Sequence, residues 1–384
     1  VLKVIQKILI DGLSPDVVTF VLLSKICETT GSIVQGQDVH SHTVRVGELE
    51  KDSVVGNALV DMYAKFHMLA EAQEMFDRLT VHGIISWNAL IVEYLQQGNG
   101  NEALDCYERM QLGGSFPDTF TLLCSVRACS IVQISSKGNE IYSTIIKKGL
   151  MENGEDFGTA LVDMYANCGF LEKAQSVQIE LPFQTVVSWN ALIEGYAQRG
   201  QSDEAMNCFE EMQRAGFCPN DATFISILKA CGNIGALQKG REIHTVIVEE
   251  EFEEDLSVNN SLIMMYSRCG ALADAKDVFD STPVHDSIAW GSMMKGYCMM
   301  HDGNAAIQCF ADMQRAGVRP DTVTFTCLLN ACSHASLVSE GITYYKQMRE
   351  QFKIVPTIEH HTCIVDLLGR SGKLYEAENL LSLY

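Results

Sequence analysis

Hydrogen-bonding side chains stand at repeating addresses in this 384-residue chain. Asn88 follows Trp87, Asn190 follows Trp189 and Gly291 follows Trp290; these are its three tryptophans, 102 and then 101 residues apart. A second set follows proline: Asp16 after Pro15, Asp118 after Pro117, Asn220 after Pro219 and Asp321 after Pro320. An asparagine amide both donates and accepts, whereas an ionised aspartate only accepts. Groups repeated in this way suit recognition along an extended surface better than bond-making in one pocket. The sequence also holds neither a C-x-x-C nor an H-x-E.

The elements that carry these residues repeat with them. Ile85-Ser86-Trp87-Asn88-Ala89-Leu90-Ile91 returns as Val187-Ser188-Trp189-Asn190-Ala191-Leu192-Ile193, and more loosely from Ile288 to Met294. Each proline disfavours helix in the residue before it and so marks a helix end. Between these marks the chain divides into complete subunits at 17–52, 53–83, 84–118, 119–154, 155–185, 186–220, 221–255, 256–286, 287–321 and 322–357. Partial subunits lie at 1–16 and 358–384. In the 35-residue kind, Ala103, Leu104, Tyr107 and Met110 recur as Ala205, Met206, Phe209 and Met212, then as Ala306, Ile307, Phe310 and Met313. That spacing is one face of an α-helix. Each subunit is therefore expected to be a helical hairpin. One hairpin cannot bury its apolar face alone, so the expected fold is an all-α solenoid of stacked hairpins.

Composition narrows the function. Apolar residues make up 47% of the chain, enough for a continuous core, yet no stretch approaches the roughly 18 apolar residues of a membrane span. The 14 cysteines fall largely at repeat positions, Cys27, Cys129, Cys231 and Cys332 at one and Cys106, Cys208 and Cys309 at another. Within helical apolar patterns they read as reduced, small hydrophobes in a reducing compartment. His40 and His244 share one repeat position with Tyr142, which suggests packing. His360-His361 has no partner ligands at metal spacing, so no metal and no cofactor is expected. The net charge of −21 opposes the basic field that nucleic-acid binding usually needs.

The alternation of 35-, 36- and 31-residue subunits resembles the PLS subclass of plant organellar pentatricopeptide repeat (PPR) proteins. Tetratricopeptide repeats, also helical hairpins, keep a uniform 34-residue period instead. "VVSWNALIEGYAQRGQSDEAMNCFEEMQRAGFCPN" at 186–220 looks like a P motif. "DATFISILKACGNIGALQKGREIHTVIVEEEFEED" at 221–255 looks like an L motif, and "NALVDMYAK" at 57–65 like part of an S motif. The 322–357 and 358–384 segments resemble the variant L and S motifs that close such arrays, so the chain is expected to be a fragment ending before any E or DYW region. The resemblance implies a right-handed superhelical α-solenoid.

It also implies RNA reading, one base per repeat, by the fifth and last residues of each repeat. Carried over, Asn88 with Asp118 and Asn260 with Asp286 are the uracil-type pairing, and Asn190 with Asn220 the cytosine type. Asn57 with Gly83, Thr159 with Thr185, and Gly291 with Asp321 depart from the pattern. Val21, Leu123 and Ile225 cannot hydrogen-bond a base, while Thr326 breaks that apolar series. Asparagine is also a favoured helix N-cap, which is the structural alternative for each Asn. The tryptophans are expected to pack between helices. Lys25, Arg127 and Lys229 at one position, and Lys65, Arg268 and Arg370 at another, are expected to form a basic stripe for the RNA backbone inside an acidic particle.

The resulting expectation is a monomeric, non-membrane, non-enzymatic array in a mitochondrion or chloroplast. It would bind single-stranded RNA by sequence, with editing-complex proteins as further partners, to place a cytidine for C-to-U editing. Any catalysis would belong to sequence beyond this chain or to a recruited partner, because zinc deaminases need the two motifs absent here. The alternatives are an RNA stabilisation, splicing or translation factor, and a protein-binding helical scaffold.

Overall fold

The computed structural model describes residues 15–46, 53–150, 155–181 and 183–373. Among the described residues there are 21 helices and no strand. The chain divides into two compact units, Val1–Leu192 and Ile193–Tyr384, and the division falls within helix α11 (Val186–Gln198). The ends of the expected layout, residues 1–14 and 374–384, lie outside the described residues.

In the first unit the hairpins are α1 (Val17–Thr30) with α2 (Ile33–Val46), α3 (Ser53–Lys65) with α4 (Leu69–Arg78), α5 (Ile84–Gln96) with α6 (Gly100–Leu112), α7 (Thr119–Val132) with α8 (Ser135–Lys147), and α9 (Glu155–Asn167) with α10 (Leu171–Glu180). The second unit holds α12 (Ser202–Arg214), then α13 (Asp221–Ile234) with α14 (Leu237–Glu249), α15 (Leu256–Arg268) with α16 (Leu272–Ser281), α17 (Ser287–Met299) with α18 (Gly303–Arg315), α19 (Thr322–His334) with α20 (Val338–Glu350), and α21 (Ile358–Arg370). Within each unit the first helices of successive hairpins pack side by side. Second helices pack on their own first helix and on the next one, as α6 does on α5 and α7 and α18 on α17 and α19. The result is an α-solenoid of two helical layers.

The apolar spacing read from the sequence is the face that packs. Ala103, Tyr107 and Met110 are buried, as are Ala306, Phe310 and Met313 in the second unit. Each such large side chain contributes on the order of 2 kcal/mol by leaving water. A small residue starts the second helix of each tryptophan hairpin, Gly100, Ser202 and Gly303; a Cβ on Gly303 would lie 2.8 Å from the Ala331 carbonyl oxygen.

Every hairpin turns at its fifteenth residue through the left-handed region. Glycine serves at Gly31, Gly98, Gly169, Gly200, Gly235, Gly270 and Gly372, but His67, Gln133, His301 and Ser336 hold the same conformation at φ between 57° and 61°. A side chain makes that conformation costly, by about 1–2 kcal/mol. Gln133→Gly is therefore expected to raise stability by about 1 kcal/mol, seen as a higher urea midpoint. An unchanged or lower midpoint would contradict this.

Candidate functional site

Among the described residues, the last residue of a subunit stands at the N-cap of the next first helix at Asp16, Gly83, Asp118, Asn220, Asp255, Asp286, Asp321 and Thr357. Asp118 caps α7, with Oδ1 accepting the Thr121 N–H at 2.8 Å. Asn88, in the first turns of α5, is not a cap; its Nδ2 lies 3.3 Å from both Asp118 carboxylate oxygens. Thr121, fully buried, joins the two: its Oγ1 is 2.7 Å from Asn88 Oδ1 and 2.8 Å from Asp118 Oδ1. One hydroxyl proton can serve only one of these acceptors at a time. Partial burial pushes the Asp118 pKa up, but the Thr121 N–H and hydroxyl, the Asn88 amide and the Phe120 N–H outweigh it and hold the carboxyl below its ordinary value. Asp118 is thus an ionised acceptor, and Asn88 keeps a second amide hydrogen to offer. The capping role considered for asparagine belongs to the last residue rather than the fifth.

The other pairs vary this theme. Asn260 Nδ2 donates to both Asp286 oxygens, at 3.2 and 3.1 Å, while Asp286 Oδ1 caps α17 through the Ile288 and Ala289 N–H groups. Position 289 is alanine, so no hydroxyl corresponds to Thr121, and Asn260 Oδ1 is buried without a hydrogen bond. Asn57 Oδ1 accepts the Gly83 N–H at 3.1 Å, and the Thr159 and Thr185 hydroxyls meet at 3.0 Å. Asp321 caps α19 through Thr324, at 2.8 Å to both its N–H and hydroxyl. Gly291 is buried and puts no side chain beside it. Asn190 lies early in α11 in the first unit, and Asn220 caps α13 in the second, its Oδ1 accepting the Thr223 N–H at 3.1 Å.

The cations divide into two groups. Lys25, Arg127 and Lys229 are exposed and make no ion pair among the described residues. Lys65 is held by Glu28 at 2.6 Å and Asp61 at 2.9 Å, Arg370 by Asp366 at 2.9 Å, and Arg268 donates to Asn233 at 2.5 Å. Arg127 shares a 370 Å³ cleft with Thr159, Thr185, Val187, Asp156 and Asp163. That cleft brings a cation and two of the expected reading residues together, with two carboxylates beside them.

Two contributors were not singled out from the sequence. One is the threonine three residues after the cap, at Thr19, Thr121, Thr223 and Thr324; the spacing Pro-Asp/Asn-x-x-Thr signals it in all four copies. The other is an exposed aliphatic or aromatic residue at the second position of many first helices: Val18, Val54, Ile85, Phe120, Val187, Ile288 and Val323. Helical periodicity draws attention to buried apolar residues and passes over these.

The tryptophans pack. Trp87, Trp189 and Trp290 are buried, and Trp87 meets Phe76 edge-on at 4.5 Å as Trp290 meets Phe279 at 4.8 Å. Burial pushes the thiols of Cys106, Cys208 and Cys309 up to about 12, so they behave as small hydrophobes. The Nδ1 atoms of His40 and His244 hydrogen-bond the Tyr63 and Tyr266 hydroxyls, at 2.8 and 2.9 Å. Among the described residues no group of three His, Cys, Asp or Glu side chains is placed to hold a metal, and no helix is long and apolar enough to cross a membrane.

His360 is fully buried, with Nδ1 accepting the Thr357 N–H at 3.0 Å and Nε2 3.0 Å from the Thr322 carbonyl. Burial lowers its pKa against the opposing pull of that carbonyl, so the folded ring stays neutral. Unfolded histidine gains its proton near pH 6.5. The unfolded chain then binds more protons below that pH, and stability falls with acidification. His360→Gln should lose less stability than the parent between pH 7.5 and 5.5; equal losses would refute this role.

The repeats also match known sequences. The PPR repeat family profile matches residues 184–233 and 285–334, and a PPR repeat profile matches 57–84, 85–115, 260–282 and 323–351. The chain belongs to the pentatricopeptide repeat family. A putative PPR-containing protein of Arabidopsis thaliana, named mitochondrial, is 33% identical over 97% of this chain and 60% of its own length. A second Arabidopsis PPR-containing protein is 35% identical over 97% of this chain and 51% of its own. The chain thus spans about half to 60% of the length of these curated relatives. Among solved structures, the pentatricopeptide repeat protein PPR10 from maize aligns with a TM-score of 0.67 at 19% identity, over 99% of this chain and 60% of that one. PPR10 in complex with an 18-nt psaJ RNA element aligns with a TM-score of 0.70 at 18% identity, again over 99% and 60%. These likenesses fix the fold as the PPR α-solenoid.

Proposed function

We propose that the chain binds single-stranded RNA and reads it base by base through the fifth and last residues of its hairpins. The observation that carries this reading is the Asn88–Asp118 pair and its counterpart Asn260–Asp286. In each, an amide donor stands beside a carboxylate at the start of a first helix. A carboxylate accepts the N3–H of uracil, and the neighbouring amide can donate to a base carbonyl. The cleft of Arg127, Thr159 and Thr185 adds a cation for the backbone, and Val187 adds an apolar surface for the face of a base. A relative whose solved structure holds an 18-nt RNA element supports the same reading.

In this proposal the phosphates are met chiefly by Lys25, Arg127 and Lys229, because acidic neighbours already engage Lys65 and Arg370. The alternating subunit lengths favour the PLS subclass, and hence an array that places a cytidine for C-to-U editing in a plant organelle. The deaminase would then be supplied by further sequence or by a partner. Relatives named mitochondrial favour that organelle.

Fluorescence anisotropy with labelled single-stranded RNA tests the reading. Binding should be lost to the matching duplex and should weaken steeply as salt rises, with a slope set by the phosphates neutralised. An Arg127→Gln variant should lower that slope by about one. No RNA affinity at moderate salt would favour a protein-binding scaffold, the reading to which the −21 charge otherwise points.

A further inference from the structure

Two clefts at equivalent positions, one in each unit, differ in a decisive residue. Both open beside a short second helix of 10 residues, where it meets the 13-residue second helix of a tryptophan hairpin: α4 with α6, and α16 with α18. Their linings correspond at one constant interval, Gln73 with Lys276, Tyr94 with Tyr297, Cys106 with Cys309 and Arg109 with Asp312.

In the first unit the chain supplies its own occupant. The Arg109 guanidinium lies 5.7 Å from the centre of the Trp87 ring, with Asp77 and Asp105 each 3.8 Å from it. The space that remains is 350 Å³, and its lining ends at Arg109 without reaching the indole. In the second unit Asp312 stands where the guanidinium stem would begin. The cleft widens to 440 Å³, and its floor now includes Trp290 and Phe279. Asp280, the counterpart of Asp77, lines it and makes no ion pair among the described residues. Lys276 lines the α16 side, and Arg315 pairs with Asp312 without entering the lining. Trp290 is itself 8% exposed, with its indole N–H unpartnered.

We propose that the cleft over Trp290 receives an arginine side chain from a partner protein, in the place that Arg109 fills over Trp87. An aromatic floor below carboxylates favours a planar, weakly hydrated guanidinium over a compact ammonium. The same carboxylates repel phosphate, so this is a protein-binding feature of the second helices and is independent of RNA reading. The partner's guanidinium reaches Asp280 and Asp312 at the rim and lies over the indole below.

The test uses the whole chain, ¹⁵N-labelled, with the three indole N–H signals as reporters and N-acetylarginine amide as the probe at constant ionic strength. One side chain should bind in the millimolar range, on the order of a few kcal/mol. The Trp290 signal should shift saturably while the Trp87 signal stays in place, and the uncharged N-acetylcitrulline amide should do nothing. Asp312→Arg places in the second unit the arginine that the first already holds over its tryptophan, and it should abolish the Trp290 shift. Asp280→Asn should weaken it severalfold. Absence of a saturable shift, an equal shift with the citrulline probe, or undiminished binding in a folded Asp312→Arg chain would each overturn the proposal.

Discussion

Asp118→Asn is expected to move the base preference of the 84–118 hairpin from uracil toward cytosine and to leave the fold intact. The carboxylate oxygens that accept in the parent are replaced by an amide whose nitrogen donates, so the N3–H of uracil loses its partner while the bare N3 of cytosine gains one. An unsatisfied polar contact of this kind costs about 1–3 kcal/mol, roughly five- to hundredfold in relative affinity. The N-cap survives, because asparagine caps helices as well as aspartate does, and Asn220 already makes the same bond to Thr223 at 3.1 Å in this chain. The measurement is competition between RNAs that differ at one base, together with a urea melt of both proteins. An unchanged U-to-C ratio in a stable variant would remove base reading from this hairpin.

Trp87→Ala is expected to have the largest effect on stability, about 3–5 kcal/mol. The indole fills the space between Phe76 at 4.5 Å and His82 at 5.4 Å, with the Arg109 guanidinium over it at 5.7 Å. Truncation leaves a cavity at the junction of two hairpins and removes the floor beneath Arg109. Because stability in an array is roughly a sum over neighbours, the loss should fall on both hairpins at that junction. Under conditions where the variant is folded, its U-to-C preference should equal that of the parent. A chain that stays stable yet loses RNA affinity would mean that the indole stacks on a base, against its 5% exposure.

The helical hairpins were legible because they depend on short, repeated spacing, whereas the Asn88–Asp118 pair, 30 residues apart, was implied only by the family resemblance. Helix α7 begins at Thr119, just after the Pro117-Asp118 mark, and the Ala103–Met110 stripe is core. Contacts that join distant positions were not legible. The cations at the Lys65 position look like a stripe in the sequence, but Glu28, 37 residues away, reaches Lys65 at 2.6 Å. Only its Asp61 partner, four residues back, could have been read from helical spacing. The Thr121 hydroxyl meets Asn88 across 33 residues, a join that only stacking of α5 and α7 creates. Nor could the sequence tell which left-handed turns lack glycine, since His67 and Gln133 take on a conformation that their types do not announce.

The cap at each hairpin start has a consequence for how such a chain can change its target. The last residues seen here are Asp16, Gly83, Asp118, Thr185, Asn220, Asp255, Asp286, Asp321 and Thr357, all drawn from the residues that favour an N-cap. Exchanges within that set change helix stability by a few tenths of a kcal/mol to about 1 kcal/mol, whereas an apolar residue there costs about 1 kcal/mol or more. Under the proposed reading, helix chemistry limits the vocabulary of this position before any base is met. Within that limit, the proposal expects one nucleotide change to retarget a hairpin while its scaffold stays as it was.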